Sequence, residues 1–451
     1  MNRNFKEKYF PFKKEFSERA IQDPFLGQEL LVSLDNDPLI SVRCHPFKKF
    51  DLSLLPIKKK VSWTENCYYL DTRPSYTLDP LFHSACYYPQ EAGSMFLETI
   101  LKELDIKKDS TILDLCAAPG GKSQILASFL EVEGLLLSNE IIVSRAKILV
   151  ENMIKWGGKH TFVCQNKPED FKHLPNLFDL ILCDVPCSGE GLFRKDKKSR
   201  NEWNENLVEF CSLRQRKIVM DIWTSLKEEG FLIYSTCTFN ETENEQNVQW
   251  FIKQTNAELI QIKHQGLKTG RNGIGFYALP SESEAEGIYF AILKKKSQTN
   301  IQIKKQNQKS YFNYFKNKSN IDFKVQNHCC LFQKEKLIFT FNEKQLALIQ
   351  LLASTLNLLK TGTIVADIIG EKWIPSHSLA MDIKTLSTEI NMIEVNKEQA
   401  LQYLKGNSFS LNLSKGHHLL SYRKIPLGWI HHVDKRFNSL YPKDWRIRMK
   451  I

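Results

Sequence analysis

Two cysteines and a carboxylate stand just past apolar stretches, the place where a sheet protein usually does chemistry. Asp184 and Cys187 lie in Asp184-Val185-Pro186-Cys187-Ser188-Gly189-Glu190-Gly191, after the apolar run 178–183. Cys237 lies in Ser235-Thr236-Cys237-Thr238-Phe239-Asn240, after the run 230–236. The thiolate is the reactive form of cysteine, and a helix N-terminus favours it. A lone buried cysteine is usually inert packing; two at the ligand-binding edge of one sheet are harder to explain that way. A third loop, Leu115-Cys116-Ala117-Ala118-Pro119-Gly120-Gly121-Lys122-Ser123, comes close to two phosphate-binding patterns. A Walker A loop would need glycine at 116, and a dinucleotide fingerprint would need G-x-G-x-x-G, so neither is met. What remains is a glycine turn that lets a ligand approach the backbone, followed by Glu140, placed to accept hydrogen bonds from a ribose diol. Taken alone, the glycine turn is also consistent with an ordinary tight helix start.

An adenosine-containing cofactor without a pyrophosphate, together with a thiol, suits methylation of a pyrimidine at carbon 5. That carbon is a poor nucleophile. A thiolate added to carbon 6 creates an enamine, which takes a methyl group from S-adenosylmethionine; loss of the carbon 5 proton and of the thiol restores the ring. A carboxylate near ring nitrogen 3 or the exocyclic amine stabilises the charge shift. The residues by themselves leave open which cysteine is the nucleophile.

The elements that must position these loops follow from the alternation of apolar runs. Strands are predicted at 111–116, 134–140, 160–164, 178–185, 230–236 and 288–294, with helices at 123–130, 141–155, about 205–227 and 243–254. Such strand–helix alternation predicts a parallel sheet with helices on both faces, whose ligands bind beyond the carboxyl ends of the strands. Residues 1–75 mix helical and irregular stretches and are expected to form an N-terminal accessory region. Residues 326–451 carry a helix expected at 343–359 and glycine turns expected at Gly416 and Gly428, a mixed α/β unit.

With 451 residues, 42% of them hydrophobic and 25% charged, the chain has room for two or three domains and is no disordered or fibrous sequence. It contains no apolar run of about 18 residues, and its start has no apolar core of a secretory signal. A cytoplasmic protein without membrane contact is expected. The 11 cysteines are an odd number with no CxxC pair, so neither a disulfide framework nor a structural zinc site is expected; the metal expectation is none. The net charge of +11 is uneven: residues 1–293 carry −4, the Lys/Gln/Asn-rich stretch 294–310 carries +6, and residues 311–451 carry +9. The stretch around 297–325 is expected to be a basic linker, and the basic rear to grip a polyanion through phosphates, with strong salt dependence. A solvated basic face without a partner would carry the same charge.

At these motifs the chain resembles a known family. LDLCAAPGGK, CDVPCSGEGLFRKD and YSTCTFNETENE are similar to the three signature segments of the RNA cytosine carbon-5 methyltransferases, and PLFHSACYYPQEAGSMFL (80–97) is similar to their lead-in segment. Tyr403-Leu404-Lys405-Gly406, Pro426-Leu427-Gly428-Trp429 and Tyr441-Pro442-Lys443 resemble the C-terminal PUA-like RNA-binding region of one bacterial branch. The resemblance implies an α/β, Rossmann-like S-adenosylmethionine-dependent methyltransferase domain over 76–296, with a PUA-like domain over 326–451. It implies Cys237 as nucleophile, Cys187 as the cysteine that assists product release, and Asp184 beside cofactor and target base. Cys116, Ala117, Ala118, Pro119, Gly120, Gly121 and Lys122 would form the cofactor loop, with Lys122 also counted in the catalytic set, and Glu140 would contact the ribose.

The implied partner is RNA, a cytosine of 16S rRNA within the small ribosomal subunit, with the enzyme a monomer; transfer RNA is the alternative substrate. Lys167 stands where the family has an Asp on the adenine side, and a lysine cannot accept a hydrogen bond from an adenine amine; Asn166 or Asp170 would have to take over. His45 and Ile430-His431-His432 also depart from the pattern. The rival from another class is a non-catalytic ribosome-assembly factor that keeps the fold; both cysteines and Asp184 argue against it. A DNA methyltransferase, with Cys187 as nucleophile, fits the Thr-Cys motif less well.

Overall fold

The computed structural model describes residues 10–297, 310–315, 325–326 and 329–449. The basic linker expected at 297–325 therefore lies largely outside the described residues. The chain forms two compact units that interleave in sequence. One comprises Met1–Ile40, Glu91–Phe96 and Leu174–Ile301, the other Ser41–Gln90, Leu97–His173 and Gln302–Ile451. Residues 10–40 belong with the first unit, and the sheet that follows them continues to residue 89.

In the first unit, strands Phe178–Asp184 and Leu226–Thr236 run parallel, with Leu182 opposite Ile233 and Asp184 opposite Ser235. Ile288–Lys294 then lies antiparallel to Leu226–Thr236, so the last predicted strand reverses the parallel pattern. Helix Glu205–Trp223 starts where the Asn204 side chain accepts from the Leu207 amide. It ends four residues earlier than its composition suggested. Leu226 pairs with Phe178, and the Lys227 ammonium meets the Asp179 carboxylate at 2.8 Å, so LKEE joins the sheet despite its helical propensity. The buried Lys295 ammonium takes the freed carbonyls of Trp223 (3.3 Å) and Leu226 (2.6 Å).

In the second unit, Thr111–Asp114, Leu135–Asn139 and Thr161–Cys164 form a parallel run. Leu135, Leu136 and Leu137 are all fully buried, which is why this strand shows no alternation; each leucine contributes on the order of 2 kcal/mol of burial. A second sheet, in the order Ile57–Lys60, Cys67–Leu70, Ile40–Cys44 and Tyr87–Pro89, takes three of its strands from the expected accessory region. Further along, the chain builds a five-stranded sheet from Asn313–Tyr314, a strand inside the stretch expected as linker, to Lys372–Pro375, and a four-stranded one from Met392–Glu394 to Arg436–Ser439. The helix expected over 343–359 is Leu346–Thr355, preceded by the 3₁₀ turn Glu343–Gln345. At Leu356 the backbone becomes extended, and Leu358–Thr361 pairs antiparallel with Thr161–Cys164.

Neither Gly416 nor Gly428 marks a turn. Gly416 opens strand Gly416–Tyr422, and Gly428 lies inside strand Ile425–Val433 at φ +143°. A Cβ at 428 would run into the Tyr403 hydroxyl and come within 2.8 Å of His377 Nδ1. The Tyr403 hydroxyl donates to the Trp429 carbonyl at 3.1 Å, and its ring meets Tyr441 at 5.5 Å between centroids. The three tail motifs thus converge on one packed cluster. Among the described residues, no helix is long and apolar enough to cross a membrane. Gly428→Ala combines a left-handed φ with overpacking and is expected to cost roughly 2–4 kcal/mol; denaturant unfolding of the full chain, with Gly416→Ala as the comparison in open space, measures it.

Candidate active site

The catalytic residues expected in the first unit come together where two parallel strands end. Asp184 closes one strand and accepts from the Ser235 hydroxyl at 2.7 Å on the other. Three residues beyond Asp184 and two beyond Ser235, the Cys187 and Cys237 sulfur atoms lie 3.2 Å apart. The Cys237 amide donates to the Cys187 sulfur at 3.3 Å. Both cysteines are partly exposed, as a group meeting a substrate must be. The hydrogen bond to Cys237, and then burial, push the Cys187 thiol well above its ordinary pKa. At neutral pH Cys187 is therefore an uncharged thiol that can donate to the sulfur beside it.

The two cysteine loops are tied together by groups that motif reasoning left without a role. The buried Glu243 carboxylate accepts from the Ser188 amide (3.0 Å), from Gln215 Nε2 (2.7 Å) and from Asn240 Nδ2 (2.8 Å). Burial is the largest cause raising the Glu243 pKa, opposed by these hydrogen bonds. Glu190, equally buried, accepts from the Phe239 amide at 2.8 Å, Trp203 Nε1 at 2.9 Å and the Arg19 guanidinium at 2.7 Å. Ser188 and Thr238 share a hydrogen bond of 3.0 Å between their hydroxyls. The Gly191 amide donates to the Cys237 carbonyl at 2.8 Å, and a Cβ there would lie 2.6 Å from the Gly287 carbonyl and 3.1 Å from that of Cys237. Glycine is the residue that permits this backbone approach. Glu190, Asn240 and Glu243 sit inside the quoted motif strings, so a signal for them existed; Gln215, on the face of a long helix, had none.

The expected cofactor loop lies in the second unit. It leaves strand Thr111–Asp114, passes Cys116 and Ala117, and enters helix Gly121–Phe129 through Gly120 at φ +115°. Cys116 and Lys122 are partly buried, Ala117 and Ala118 buried, and Pro119 exposed. Its carbonyls are fixed from the next helix: Arg145 donates to the Ala118 carbonyl at 2.7 Å and Asn152 to that of Pro119 at 2.8 Å. A Cβ at Gly121 would lie 3.3 Å from Gln90 Nε2 and 3.4 Å from Tyr88 Cε1, so glycine keeps the backbone clear at the helix start. The buried Glu140 carboxylate accepts from the Ile142 amide at 2.9 Å and meets Arg145 at 3.4 Å. Each carboxylate oxygen has two acceptor sites, so capacity for a diol remains. A small, cleared turn beside a buried carboxylate fits a nucleoside cofactor.

Two further results concern the loop expected on the adenine side. Asn139, not singled out from sequence, is fully buried and joins loops: Nδ2 donates to the Leu115 and Asn166 carbonyls, both at 3.0 Å, and Oδ1 accepts from the Asn166 amide at 2.9 Å. Lys167 does not join this arrangement through its side chain, which is 65% exposed with its ammonium 3.7 Å from Glu169. The carboxylate on this loop is that of Asp170, which accepts from the Lys167 amide at 2.9 Å and from Asn166 Nδ2 at 3.1 Å. Among the described residues, no group of three or more His, Cys, Asp or Glu side chains could hold a metal ion.

Comparison with known proteins agrees with this architecture. Residues 101–294 match the family described as 16S rRNA methyltransferase RsmB/F, and residues 390–447 match the methyltransferase RsmF PUA domain. Ribosomal RNA small subunit methyltransferase F of Shewanella loihica is 28% identical over 419 residues, covering 87% of this chain and 84% of that protein. Its namesake from Shewanella piezotolerans is 27% identical over 473 aligned positions, covering 96% and 97%. The Pectobacterium atrosepticum protein of the same name reaches 33% over 252 residues, covering 54% and 51%. Among solved structures, a methyltransferase homologue from Pyrococcus horikoshii superposes with a TM-score of 0.54 at 24% identity, covering 63% of this chain and 96% of that one. NSun6 from Pyrococcus horikoshii superposes with a TM-score of 0.56 at 20% identity, covering 64% and 100%. These two structures share the fold. A Rossmann-like methyltransferase domain followed by an RsmF-type PUA domain, with relatives aligned along nearly the whole chain, makes this protein a member of the 16S rRNA methyltransferase RsmB/F family.

Proposed function

We propose that this protein methylates carbon 5 of a cytosine in 16S rRNA, acting as a cytoplasmic monomer on the small ribosomal subunit. The observation that carries the reading is the pair of sulfur atoms 3.2 Å apart at two parallel strand ends, with Asp184 held beside them by Ser235. S-adenosylmethionine, when bound, supplies an electrophilic methyl group; the relatives whose names carry this chemistry, and the cleared turn at 116–122 with Glu140, support it as the cofactor.

In this reading the thiolate of Cys237 adds to carbon 6 of the cytosine, and the ring electrons move toward carbon 5. Asp184 faces the nitrogen 3 side and favours the charge shift. After methylation, carbon 5 loses its proton to base, the carbon–sulfur bond breaks, and its electron pair leaves with the Cys237 sulfur. Cys187, held as a thiol, donates to that departing sulfur. The target base has to leave its stack to reach the thiol, which suits a loop or an opened helix end. The PUA domain and the net +9 of residues 311–451 support phosphate and shape contacts as the grip on RNA. On the adenine side, Asp170 supplies the acceptor that Lys167 cannot.

Two outcomes test this. Cys237→Ala is expected to abolish transfer of labelled methyl groups to unmethylated small subunits, by at least about 10³-fold, as loss of a covalent nucleophile does. Cys187→Ala is expected to form the covalent RNA adduct but not resolve it, giving a slowly migrating protein–RNA band in a denaturing gel. A band from Cys237→Ala and none from Cys187→Ala would reverse the two roles.

A third outcome concerns pH. The Cys187 pKa is raised first by the hydrogen bond to Cys237, which ends when that sulfur bonds the base, and then by burial, which remains, so the thiol stays protonated and donating from neutral pH through the ordinary thiol range. Resolution of the adduct in the parent enzyme is expected to be flat between pH 7 and about 9 and to fall only above that. A rate rising about tenfold per pH unit over the same range would mean that the Cys187 thiolate acts as a base instead.

A further inference from the structure

The cofactor loops are not held by the methyltransferase sequence alone. Past the linker, strand Leu358–Thr361 pairs antiparallel with Thr161–Cys164, with Leu358 opposite Cys164 and Thr361 opposite Phe162. Lys360 on this strand is buried, and its ammonium donates to the Thr161 carbonyl at 2.8 Å, the Thr161 hydroxyl at 2.7 Å and the Gly362 carbonyl at 2.7 Å. A buried amine with three oxygen partners resists a slip of register, since a slip would leave it without them.

Just before that strand, the Asn357 backbone closes on the loop at 165–170. Its N–H donates to Asn166 Oδ1 at 2.9 Å, and its carbonyl accepts from the Gln165 amide at 3.0 Å. Asn166 is the residue whose backbone is bonded on both sides by Asn139, and Asn139 in turn holds the Leu115 carbonyl from which the glycine turn departs. An unbroken run of hydrogen bonds therefore leads from Asn357, in the C-terminal region, through Asn166 and Asn139 to the turn at 116–122. Asp170, the acceptor on the adenine side, is bonded to Asn166 Nδ2 in the same run.

We propose that the segment 356–361 is a working part of the S-adenosylmethionine site, with Asn166 and Asn139 as positioning residues that couple it to the cofactor loops. The proposal rests on reading 115–122 and 165–170 as those loops. Cofactor affinity then depends on a segment that lies between the methyltransferase and PUA sequences.

Calorimetric titration of the full chain with S-adenosylhomocysteine tests this without requiring turnover. Asn357→Pro removes the N–H that donates to Asn166 Oδ1, and Leu356 is already extended (φ −119°, ψ 155°), the conformation a residue before proline adopts. Asn166→Ala removes the acceptor of the same bond and also the contact with Asp170. Each variant is expected to weaken binding by about threefold to tenfold, the scale of one hydrogen bond. The double variant is expected to bind as Asn166→Ala alone does, because both substitutions delete one shared bond. Unchanged binding by Asn357→Pro, or losses that multiply in the double variant, would overturn the coupling while leaving the cofactor reading in place. If the parent chain itself gave no binding heat, the cofactor reading would fall first. Should Asn357→Pro not fold, amide hydrogen exchange of the parent chain decides: protection of 356–361 on adding S-adenosylhomocysteine is expected, and unchanged exchange there overturns the proposal.

Discussion

Two thiols held in contact at the ends of parallel strands are the constraint that the first unit is built to meet. Sulfur makes weak hydrogen bonds, so the 3.2 Å separation cannot hold itself. It is imposed by two buried glutamates that act as double-sided clamps, Glu243 joining the Ser188 amide to Asn240 and Gln215, and Glu190 joining the loop after Cys187 to the Phe239 amide. A buried carboxylate stripped of its donors costs several kcal/mol, so each clamp is stable only with all of its partners present. The same dependence draws in distant segments. Arg19, from the N-terminal helix Lys14–Gln22, supplies the charge opposite Glu190 and stacks on Phe16 and Trp203, which is why residues 10–40 belong with this unit.

The second unit meets a different demand with neutral groups. A turn that admits a ligand to its backbone must give up side chains, as Gly120 and Gly121 do, and loses the packing that would have fixed it. Asparagine amides replace that packing. Asn139, Asn152 and Asn166 hold loop carbonyls and amides through hydrogen bonds that the ligand does not need. Amides carry no net charge and leave the field around Glu140 to that carboxylate and Arg145.

Much of this was legible in the sequence, for identifiable reasons. The strands at 111–114, 135–139, 161–164 and 178–184 are largely buried and read as plain apolar runs, so their ends, and the loops at 116, 140 and 187, could be placed. Local pattern failed where tertiary pairing overrode it. LKEE at 226–229 and the residues after Thr355 have helical composition but find strand partners in Phe178 and in Thr161–Cys164. Gly428 was mistaken for a turn because a glycine that makes room for a tyrosine hydroxyl looks the same in sequence as one that bends the chain. Asn139 and Gln215 were invisible, because a buried amide with all its partners carries no spacing signal. Lys167 shows the reverse: the family pattern singles out a side chain that points to solvent, while the carboxylate of this loop, Asp170, lies three residues on.

The central claim is the site of the methyl group. It is tested most directly by incubating the full chain with labelled S-adenosylmethionine and unmethylated small subunits, digesting the rRNA to nucleosides and separating them by mass-resolved chromatography. The account predicts label in 5-methylcytidine from one position of 16S rRNA. Label in N4-methylcytidine or in a ribose-methylated nucleoside would contradict it, since neither reaction needs a thiolate at carbon 6.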